Sequence, residues 1–316
     1  MESREIVLRA IEFRDPPRLP INYCNRDFEY SDVLASGAGA GASFRPTEPG
    51  MTEWGYVWGS LDQTMGQPHD HPLADAARIA DYRRPVGADP SRYAHLPGWI
   101  AENRSKFLRA SVGISGFNQA TFLRGFETFL EDLYTDPERA EAILDMVFDF
   151  ENEVIERYCE LDVDCVVFGD DWGTQNGLII SPAKWRKVFK PRYAAQFATI
   201  RAAGKKVWFH CCGNIRDIIG DFIDIGVDVL ELLQPDVFGV EWLAREFGGK
   251  VCFCCSVDHQ RRAVQGTEQE VKEYARMLRD ELGRFGGGLI GYVEDYSSLG
   301  MTEQNYQWIR QAFHSL

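Results

Sequence analysis

The segment Cys165-Val166-Val167-Phe168-Gly169-Asp170-Asp171 is the stretch that best indicates the fold. A short apolar run of this kind is typical of a strand that is buried on both faces, as in a parallel sheet. The later run Val207-Trp208-Phe209-His210 has the same character and ends in Cys211-Cys212-Gly213. Both runs therefore predict parallel strands that carry polar groups at their C-terminal ends.

Outward from these two strands, short β-rich runs alternate with longer amphipathic ones from about residue 104 onward. The predicted strands cover residues 19–24, 107–112, 165–169, 207–210, 227–232, 251–255 and 289–293. The predicted helices cover residues 2–13, 126–134, 137–161, 182–203, 215–225, 240–247, 268–284 and 302–313. This alternation indicates βα units around a parallel sheet, and 316 residues suit one (β/α)8 barrel of the TIM type.

Residues 35–105 interrupt the alternation. Residues 35–43 consist only of Ala, Gly and Ser, and no helix signal follows their Gly-x-Gly spacing, so a mobile loop is favoured over a nucleotide-binding turn. Whether that loop closes over the site is left open. Residues 52–99 show little periodicity, which suits a long excursion or a small hairpin. We expect a single domain over residues 1–316, a distorted barrel with an N-terminal extension and this excursion, residues 35–105, before the second strand.

The charge balance excludes several classes of partner. The chain has 34 basic and 48 acidic residues, a net charge of −14, which would repel nucleic acid and anionic lipid surfaces. No apolar run approaches the ~20 residues that span a bilayer, and the N-terminus does not resemble a signal peptide, so we expect a cytoplasmic protein. Its eight cysteines are expected to be reduced thiols, and two adjacent pairs at predicted strand ends favour metal binding over disulfides.

In such a barrel the reactive groups lie at the C-terminal ends of the strands. His210 and Cys212 stand two positions apart at such an end, and Gly213 permits the turn that would bring both to one zinc ion. Two ligands do not hold zinc, so a further strand-end thiolate or carboxylate is needed. Asp170 and Asp171 are candidates for catalysis, although an extended chain can point only one of them into the pocket. Residues predicted to contact substrate are Tyr23, Trp172, Gln175, Gln234, His259 and Tyr292, with core packing as the alternative for Trp172.

At this point the sequence resembles the uroporphyrinogen decarboxylase superfamily, including its corrinoid-dependent methyltransferase branch. The resemblance runs from about residue 107 to the C-terminus and implies a distorted (β/α)8 barrel with its site at the strand C-termini. The matching motifs are Gly169-Asp170-Asp171-Trp172-Gly173, Ile180-Ser181-Pro182, Lys190-Pro191-Arg192-Tyr193, His210-Cys211-Cys212-Gly213, Gly226-Val227-Asp228 and Ser256-Val257-Asp258.

The resemblance implies two alternative chemistries. The decarboxylases use an N-terminal arginine-rich motif and a late histidine, whereas the methyltransferases bind zinc through His-x-Cys and a later cysteine. Here residues 21–26 lack the arginine motif, and Asp295 stands at the position of the late histidine or cysteine. Asp295 is therefore a candidate for catalysis and the preferred third metal ligand beside His210 and Cys212, with Cys255 as the second choice.

These features predict a zinc-dependent methyltransferase-like enzyme. It would move a methyl group between a corrinoid, or a methylated small molecule, and a thiol or similar acceptor. Its partners would be a small-molecule substrate and a corrinoid carrier protein, and the sequence leaves a homodimer open. The alternatives are a metal-independent decarboxylase or lyase, with Asp171 or Asp295 stabilising a cationic intermediate, and a non-catalytic paralogue that binds a corrinoid or a metal.

Overall fold

A computed structural model describes residues 1–60 and 66–316 of the protein. Its strands are β1 Ile21–Cys24, β2 Val33–Gly37, β3 Val57–Gly59, β4 Gln67–His69, β5 Phe107–Ile114, β6 Cys165–Gly169, β7 Lys206–His210, β8 Val229–Glu231, β9 Cys252–Ser256 and β10 Leu289–Glu294. Its α-helices are α1 Ser3–Ile11, α2 Leu96–Glu102, α3 Gly116–Arg124, α4 Phe126–Thr135, α5 Pro137–Cys159, α6 Pro182–Val188, α7 Lys190–Ala202, α8 Ile219–Asp224, α9 Val240–Phe247, α10 Arg262–Gln265, α11 Glu268–Leu282 and α12 Glu303–His314.

Eight parallel strands form a nearly closed barrel, in the order β1-β10-β9-β8-β7-β6-β5-β2. The predicted TIM-type fold is thereby confirmed. Buried apolar side chains such as Val166, Phe168, Val207 and Phe209 pack the strands against the surrounding helices. Because all eight strands run in one direction, their C-terminal ends meet at one face of the barrel, and the residues that follow them become neighbours.

The excursion differs in position from the prediction. Residues 33–37 form β2, which pairs in parallel with β5, so the excursion follows the second strand instead of preceding it. The small residues at positions 35–37, predicted as part of a loop, belong to this strand because β5 supplies hydrogen bonds that override their weak strand propensity. Within the excursion, β3 and β4 form an antiparallel hairpin. Residues 61–65 of the predicted excursion lie outside the described residues.

One predicted helix is divided. Residues 182–203 form two helices, α6 and α7, which meet at Phe189. Pro191 is the cause, because a proline lacks the backbone N–H and its ring clashes with the carbonyl of the preceding turn. Helix starts follow their predicted capping residues: Ser181 accepts from the Lys184 N–H, and Thr267 with Glu270 forms a capping box.

Among the helices in the described part of the chain, none is both long enough and apolar enough to cross a membrane.

Candidate metal centre

The loops that follow β6 and β7 continue the pairing of those two strands. The Asp170 N–H donates to the carbonyl of His210 at 3.2 Å, and the Gly173 N–H donates to the carbonyl of Cys212 at 3.1 Å. The residues after the two strands therefore stay in register for about three further positions, which places the segment 171–173 directly beside the segment 211–213.

Two glycines make this close approach sterically feasible. Gly213 has φ +76°, a left-handed conformation, and a Cβ atom on it would lie 2.1 Å from the carbonyl oxygen of Gly173. Contact between the two backbones brings Asp171 next to Cys212, whose N–H donates to Asp171 Oδ1 at 2.7 Å. The glycine after the His-x-Cys run thus permits the turn, as expected, and also the approach of the neighbouring loop.

Asp171, His210 and Cys212 form a group of three potential metal ligands. Their ligand atoms all lie within 4.8 Å of one another. His210 Nε2 is 3.4 Å from Cys212 Sγ and 3.6 Å from Asp171 Oδ1. The imidazole side chain is 24% exposed and the Asp171 side chain 41%, so the group faces the open end of the barrel while remaining partly shielded.

Glu231, at the end of β8, lies behind this group. Its carboxylate is 3.0 Å from His210 Nδ1 and accepts hydrogen bonds from Trp208 Nε1 at 2.8 Å and Arg109 Nη1 at 3.1 Å. Its side chain is only 8% exposed. In the neutral imidazole that a metal would bind, donation of the Nδ1–H to Glu231 leaves the lone pair on Nε2, which faces the other two candidate ligands.

The pKa values of these groups reflect the same contacts. Burial would raise the pKa of Glu231, but its contacts with His210 and Arg109 outweigh burial and lower it to about 2. Burial of the ring would lower the pKa of His210, but the thiolate of Cys212 and the carboxylate of Glu231 raise it well above its usual range. Burial raises the pKa of Cys212, against the opposing effect of His210. The imidazole therefore lies between the Glu231 carboxylate on its Nδ1 side and Cys212 and Asp171 on its Nε2 side.

Asp170 lies away from this group. It is fully buried, and its carboxylate accepts from the N–H groups of Phe117 and Asn118 at 2.9 and 2.8 Å and from the Tyr193 hydroxyl. Burial raises the pKa of Asp170 well above its usual range. These contacts cap the first turn of α3, so of the two adjacent acids only Asp171 is placed at the metal group.

Asp295 and Cys255, the two residues expected to supply the third ligand, do not belong to the group. Asp295 bonds through Oδ2 to Arg26 at 2.9 Å and accepts at Oδ1 from the Ser297 N–H at 2.9 Å. Cys255 is fully buried in β9. The third potential ligand comes instead from Asp171.

Strand alternation explains why Asp295 is turned away. Side chains of β10 alternate between the two faces of the strand, so Tyr292 and Glu294 share one face. The Tyr292 hydroxyl donates to Glu294 at 2.9 Å, and burial raises the pKa of Glu294. The carboxylate that shares a face with Tyr292 is therefore that of Glu294.

Three of the residues predicted to contact substrate form a hydrogen-bonded chain. Gln175 Nε2 donates to Gln234 Oε1 at 3.2 Å, and Gln234 Nε2 donates to His259 Nε2 at 3.1 Å. Burial, helped by the nearby charge of His210, lowers the pKa of His259 to about 4. His259 is therefore neutral, with its hydrogen on Nδ1, and that buried atom has no partner among the described residues.

The other two aromatic residues predicted at the site make contacts elsewhere. Trp172 is fully buried and packs on Phe117 and Phe189 at centroid distances of 4.6 and 4.4 Å, which matches the packing alternative. Tyr23 is 2% exposed, and its hydroxyl is 2.7 Å from His314 Nε2 on α12.

Sequence reasoning missed Arg109 and Glu231 as functional candidates. Arg109 and Glu231 each interrupt an apolar run that was predicted as a strand. A charged residue inside a buried strand needs a partner, and these two pair with each other at 3.1 Å. That interruption was the available signal.

Comparison with solved structures shows the same fold along the whole chain in a known protein. A methyltransferase from Methanosarcina mazei matches with a TM-score of 0.71 and 14% identity, over 100% of this chain and 99% of that one. D-psicose 3-epimerase and L-ribulose 3-epimerase match with TM-scores of 0.43 and 0.44, at 13% and 14% identity. The first alignment covers 76% of this chain and 85% of the other, and the second covers 72% and 82%.

A search of curated proteins gives no match. The family model described as uroporphyrinogen decarboxylase (URO-D), however, matches residues 110–290, which is more than half of the chain. The matched region includes β6 to β9 and therefore Asp171, His210, Cys212 and Glu231. Because this model covers more than half of the chain, including the strand-end site, the chain belongs to the uroporphyrinogen decarboxylase family.

Proposed function

We propose that this protein is a zinc-dependent methyltransferase-like enzyme that moves a methyl group between a corrinoid, or a methylated small molecule, and a thiol or similar acceptor. The observation that carries the proposal is the group formed by Asp171, His210 and Cys212, with ligand atoms within 4.8 Å of one another. The fold shared with the methyltransferase from Methanosarcina mazei supports it. A corrinoid would reach the site on a carrier protein.

The donor set suits zinc. One imidazole nitrogen, one thiolate sulfur and one carboxylate oxygen are ligands that zinc accepts, and three protein ligands leave a fourth position for a substrate. The hydrogen bond from His210 to Glu231 is the outer-shell contact that zinc-binding histidines commonly make. Zinc bound there would lower the pKa of a coordinated thiol, so that the thiolate is available at neutral pH.

The chain's own residues would orient the candidate ligands and accept protons around this centre. Glu231 holds the imidazole with Nε2 toward Cys212, and Asp171 is held by the Cys212 N–H. Glu294 shares a strand face with Tyr292 and interacts electrostatically with His210 and Glu231, and burial raises its pKa, so it would be the group that takes up the proton released by an acceptor thiol. His259, neutral and held by Gln234, offers its Nδ1–H to the substrate.

Metal analysis of the purified protein tests the proposal. We expect about one zinc per chain in the parent, and loss of zinc in Asp171→Asn, His210→Ala and Cys212→Ala. Asp295→Asn and Cys255→Ser are matched controls, because each removes a potential ligand outside the group, and both should keep the metal. A parent protein without stoichiometric zinc rejects the proposal, and zinc loss in Asp295→Asn alone would reassign the third ligand.

A metal-independent decarboxylase is the second candidate, because the matching family model carries that description. Incubation with tetrapyrrole carboxylates separates the two. Carbon dioxide release that persists after zinc is removed would favour the decarboxylase, whereas methyl transfer from a methylated corrinoid to a thiol, abolished by zinc removal, would favour the methyltransferase.

A further inference from the structure

A cavity of about 380 Å³ lies where the barrel is not closed. The two edge strands β1 and β2 are not paired as strands, and we call the gap between them the seam. Residues from both strands line the cavity, including Asn22 and Cys24 from β1 and Ala35 from β2. Trp99 of α2, in the excursion, also lines it. Its volume is within the range of ligand pockets in proteins, and we refer to it as the seam pocket.

Asn22 and Arg109 line the buried side of the seam pocket, which we call its inner end, and each carries a donor without an acceptor. Asn22 is 1% exposed, and its Nδ2 has no hydrogen-bond partner among the described residues. Arg109, whose side chain is 11% exposed, has an unpartnered Nε as well. Both residues line the same cavity. Buried donors are nearly always paired in folded proteins, so two unpaired ones beside a cavity point to an acceptor that the protein itself does not supply.

The rest of the pocket wall is largely apolar. Trp99 and Val33 contribute apolar surface, and Phe28, which is 49% exposed, also lines the cavity and marks its connection to solvent. Aromatic rings of this kind favour flat apolar groups in contact with their faces. The pocket therefore combines an apolar body with a donor pair at its inner end.

The charges around the inner end argue against an anionic ligand. Arg109 is already paired with Glu231 at 3.1 Å, and Glu294 is the direct neighbour of Cys24 across β1 and β10. Two carboxylates and one guanidinium thus surround the inner end. A further negative charge would be repelled there, whereas an uncharged oxygen acceptor could take both hydrogen bonds without that cost.

We infer that the seam pocket binds the apolar or aromatic part of a small organic substrate through an uncharged oxygen acceptor, such as a carbonyl, held by Asn22 and Arg109. Arg109 contacts Glu231, which contacts His210, so the acceptor end lies two contacts from the candidate metal group. The assignment of the seam pocket as the substrate site of the enzyme rests on the proposed function. Binding to the pocket itself requires neither zinc nor turnover.

Three matched probes test the inference on the intact protein. Acetophenone carries an uncharged carbonyl, α-methylstyrene replaces that oxygen by a CH2 group of the same shape, and benzoate carries a negative charge. Dissociation constants are measured by ligand-observed NMR. We expect acetophenone to bind about tenfold more tightly than α-methylstyrene, as for two hydrogen bonds to otherwise unpaired donors. Benzoate should bind more weakly than acetophenone.

Substitutions locate the binding site. Asn22→Leu removes one donor with little change in volume, and Arg109→Lys keeps the charge beside Glu231 but removes Nε. Each should weaken acetophenone binding by about threefold and leave α-methylstyrene unchanged. Gln119→Leu is the matched control, because Gln119 is also buried with an unpartnered amide nitrogen but lines a different cavity, and it should change neither constant.

Several outcomes would overturn the inference. In the parent protein these are no binding of acetophenone, equal affinity for acetophenone and α-methylstyrene, or tighter binding of benzoate than of acetophenone. In the variants, the contradicting outcome is an unchanged affinity for acetophenone in both Asn22→Leu and Arg109→Lys. The comparison of probes in the parent requires no variant to fold. Zinc content measured on the same samples separates the two proposals: zinc without acetophenone binding rejects only the seam pocket, and acetophenone binding without zinc rejects only the metal enzyme.

Discussion

Glu231 is a buried carboxylate with three side-chain partners, of which only Arg109 carries a fixed positive charge. A carboxylate buried to this degree is stable only when its oxygens are satisfied. Here one oxygen faces His210 and the other accepts from both Trp208 and Arg109. Its position connects the barrel interior to the candidate metal group, so its removal should affect metal binding and stability together.

We therefore predict that Glu231→Gln weakens zinc binding by about 10- to 100-fold, because the amide orients His210 less strongly than the carboxylate. Stability should also fall, by about 3 kcal/mol, because Arg109 is left buried without its counter-ion. Competition with a chromophoric chelator measures the affinity, and urea unfolding measures the stability. Glu294→Gln is the control, since Glu294 makes no hydrogen bond to His210. Equal zinc affinity in Glu231→Gln and the parent would contradict this role.

At the scale of single residues, the sequence identified His210 and Cys212 as neighbours, but it did not identify their third partner. The distance of Asp171 from Cys212 depends on how the loops of two strands align, and spacing along one segment carries no information about that alignment. The family pattern places Asp295 at the position of the third ligand. Its carboxylate instead bonds to Arg26 and to the Ser297 N–H, and a position in the sequence does not determine which partners a side chain meets after a strand has ended.

At the scale of elements, the site depends on the contact between the loops after β6 and β7. We predict that Gly213→Ala lowers the free energy of unfolding by about 2 kcal/mol or more, since alanine at φ +76° is strained and its Cβ would overlap Gly173. Separating the loops should also abolish zinc binding. Gly98→Ala is the matched control, because Gly98 lies within α2 with open space around it. Unfolding titrations and zinc analysis of both variants check this, and a Gly213→Ala protein with full zinc would refute it.

Helix α3 begins against two buried carboxylates, which gives it a pH-dependent stability. Glu151 accepts from the Gly116 N–H at 2.7 Å and from Gln196 at 2.8 Å, and burial raises its pKa to about 7 from 4.5. The folded state therefore binds this proton more tightly than the unfolded state. The group consequently favours folding at low pH, and its contribution is lost progressively as the pH rises from about 4.5 to about 7.

We predict that Glu151→Gln is more stable than the parent at pH 8, by up to about 3 kcal/mol, and differs little from it at pH 5. A neutral amide avoids the cost of ionising a buried carboxyl, and Gln196 can rotate its unpartnered Oε1 toward the new amide nitrogen. Urea unfolding at both pH values is the measurement. Glu156→Gln, an exposed substitution on the same helix, should change stability by less than about 0.5 kcal/mol. A pH-independent difference between Glu151→Gln and the parent would reject the assignment.

Strands that contain a continuous apolar run were predicted from the sequence. A strand that forms because a neighbouring strand supplies its hydrogen bonds was not. β6 and residues 207–209 of β7 are short runs without charged side chains, so their pattern alone indicated buried strands. Strand β2 contains Ala, Ser and Gly at positions 35–37, which have weak strand propensity, and it forms because β5 is beside it. The division at Phe189 was foreseeable, since Pro191 stood in the sequence as a helix-breaking residue.

At the scale of the whole molecule, the fold class followed from the alternation of strands and helices, but the incomplete closure of the barrel did not. Closure depends on how β1 meets β2, the first and last strands of the sheet order. Asp32 makes this connection at the base of the seam. Its N–H donates to the Ile21 carbonyl at 2.8 Å, its carboxylate accepts from the Ile21 N–H at 2.9 Å, and the same carboxylate pairs with Arg18.

We predict that Asp32→Asn lowers the free energy of unfolding by about 1–3 kcal/mol at pH 7, because the charge-assisted contact with Arg18 is lost beside a buried group. Burial alone would raise the pKa of Asp32, but Arg18 and the Ile21 N–H lower it, so its contribution is present at neutral pH. That contribution is lost as the pH falls through and below the ordinary value of 3.8, where variant and parent should converge. Urea titrations at several pH values test this, with Asp162→Asn in the exposed pair with Arg104 as the control. If Asp32→Asn matches that control at neutral pH, the seam does not depend on Asp32.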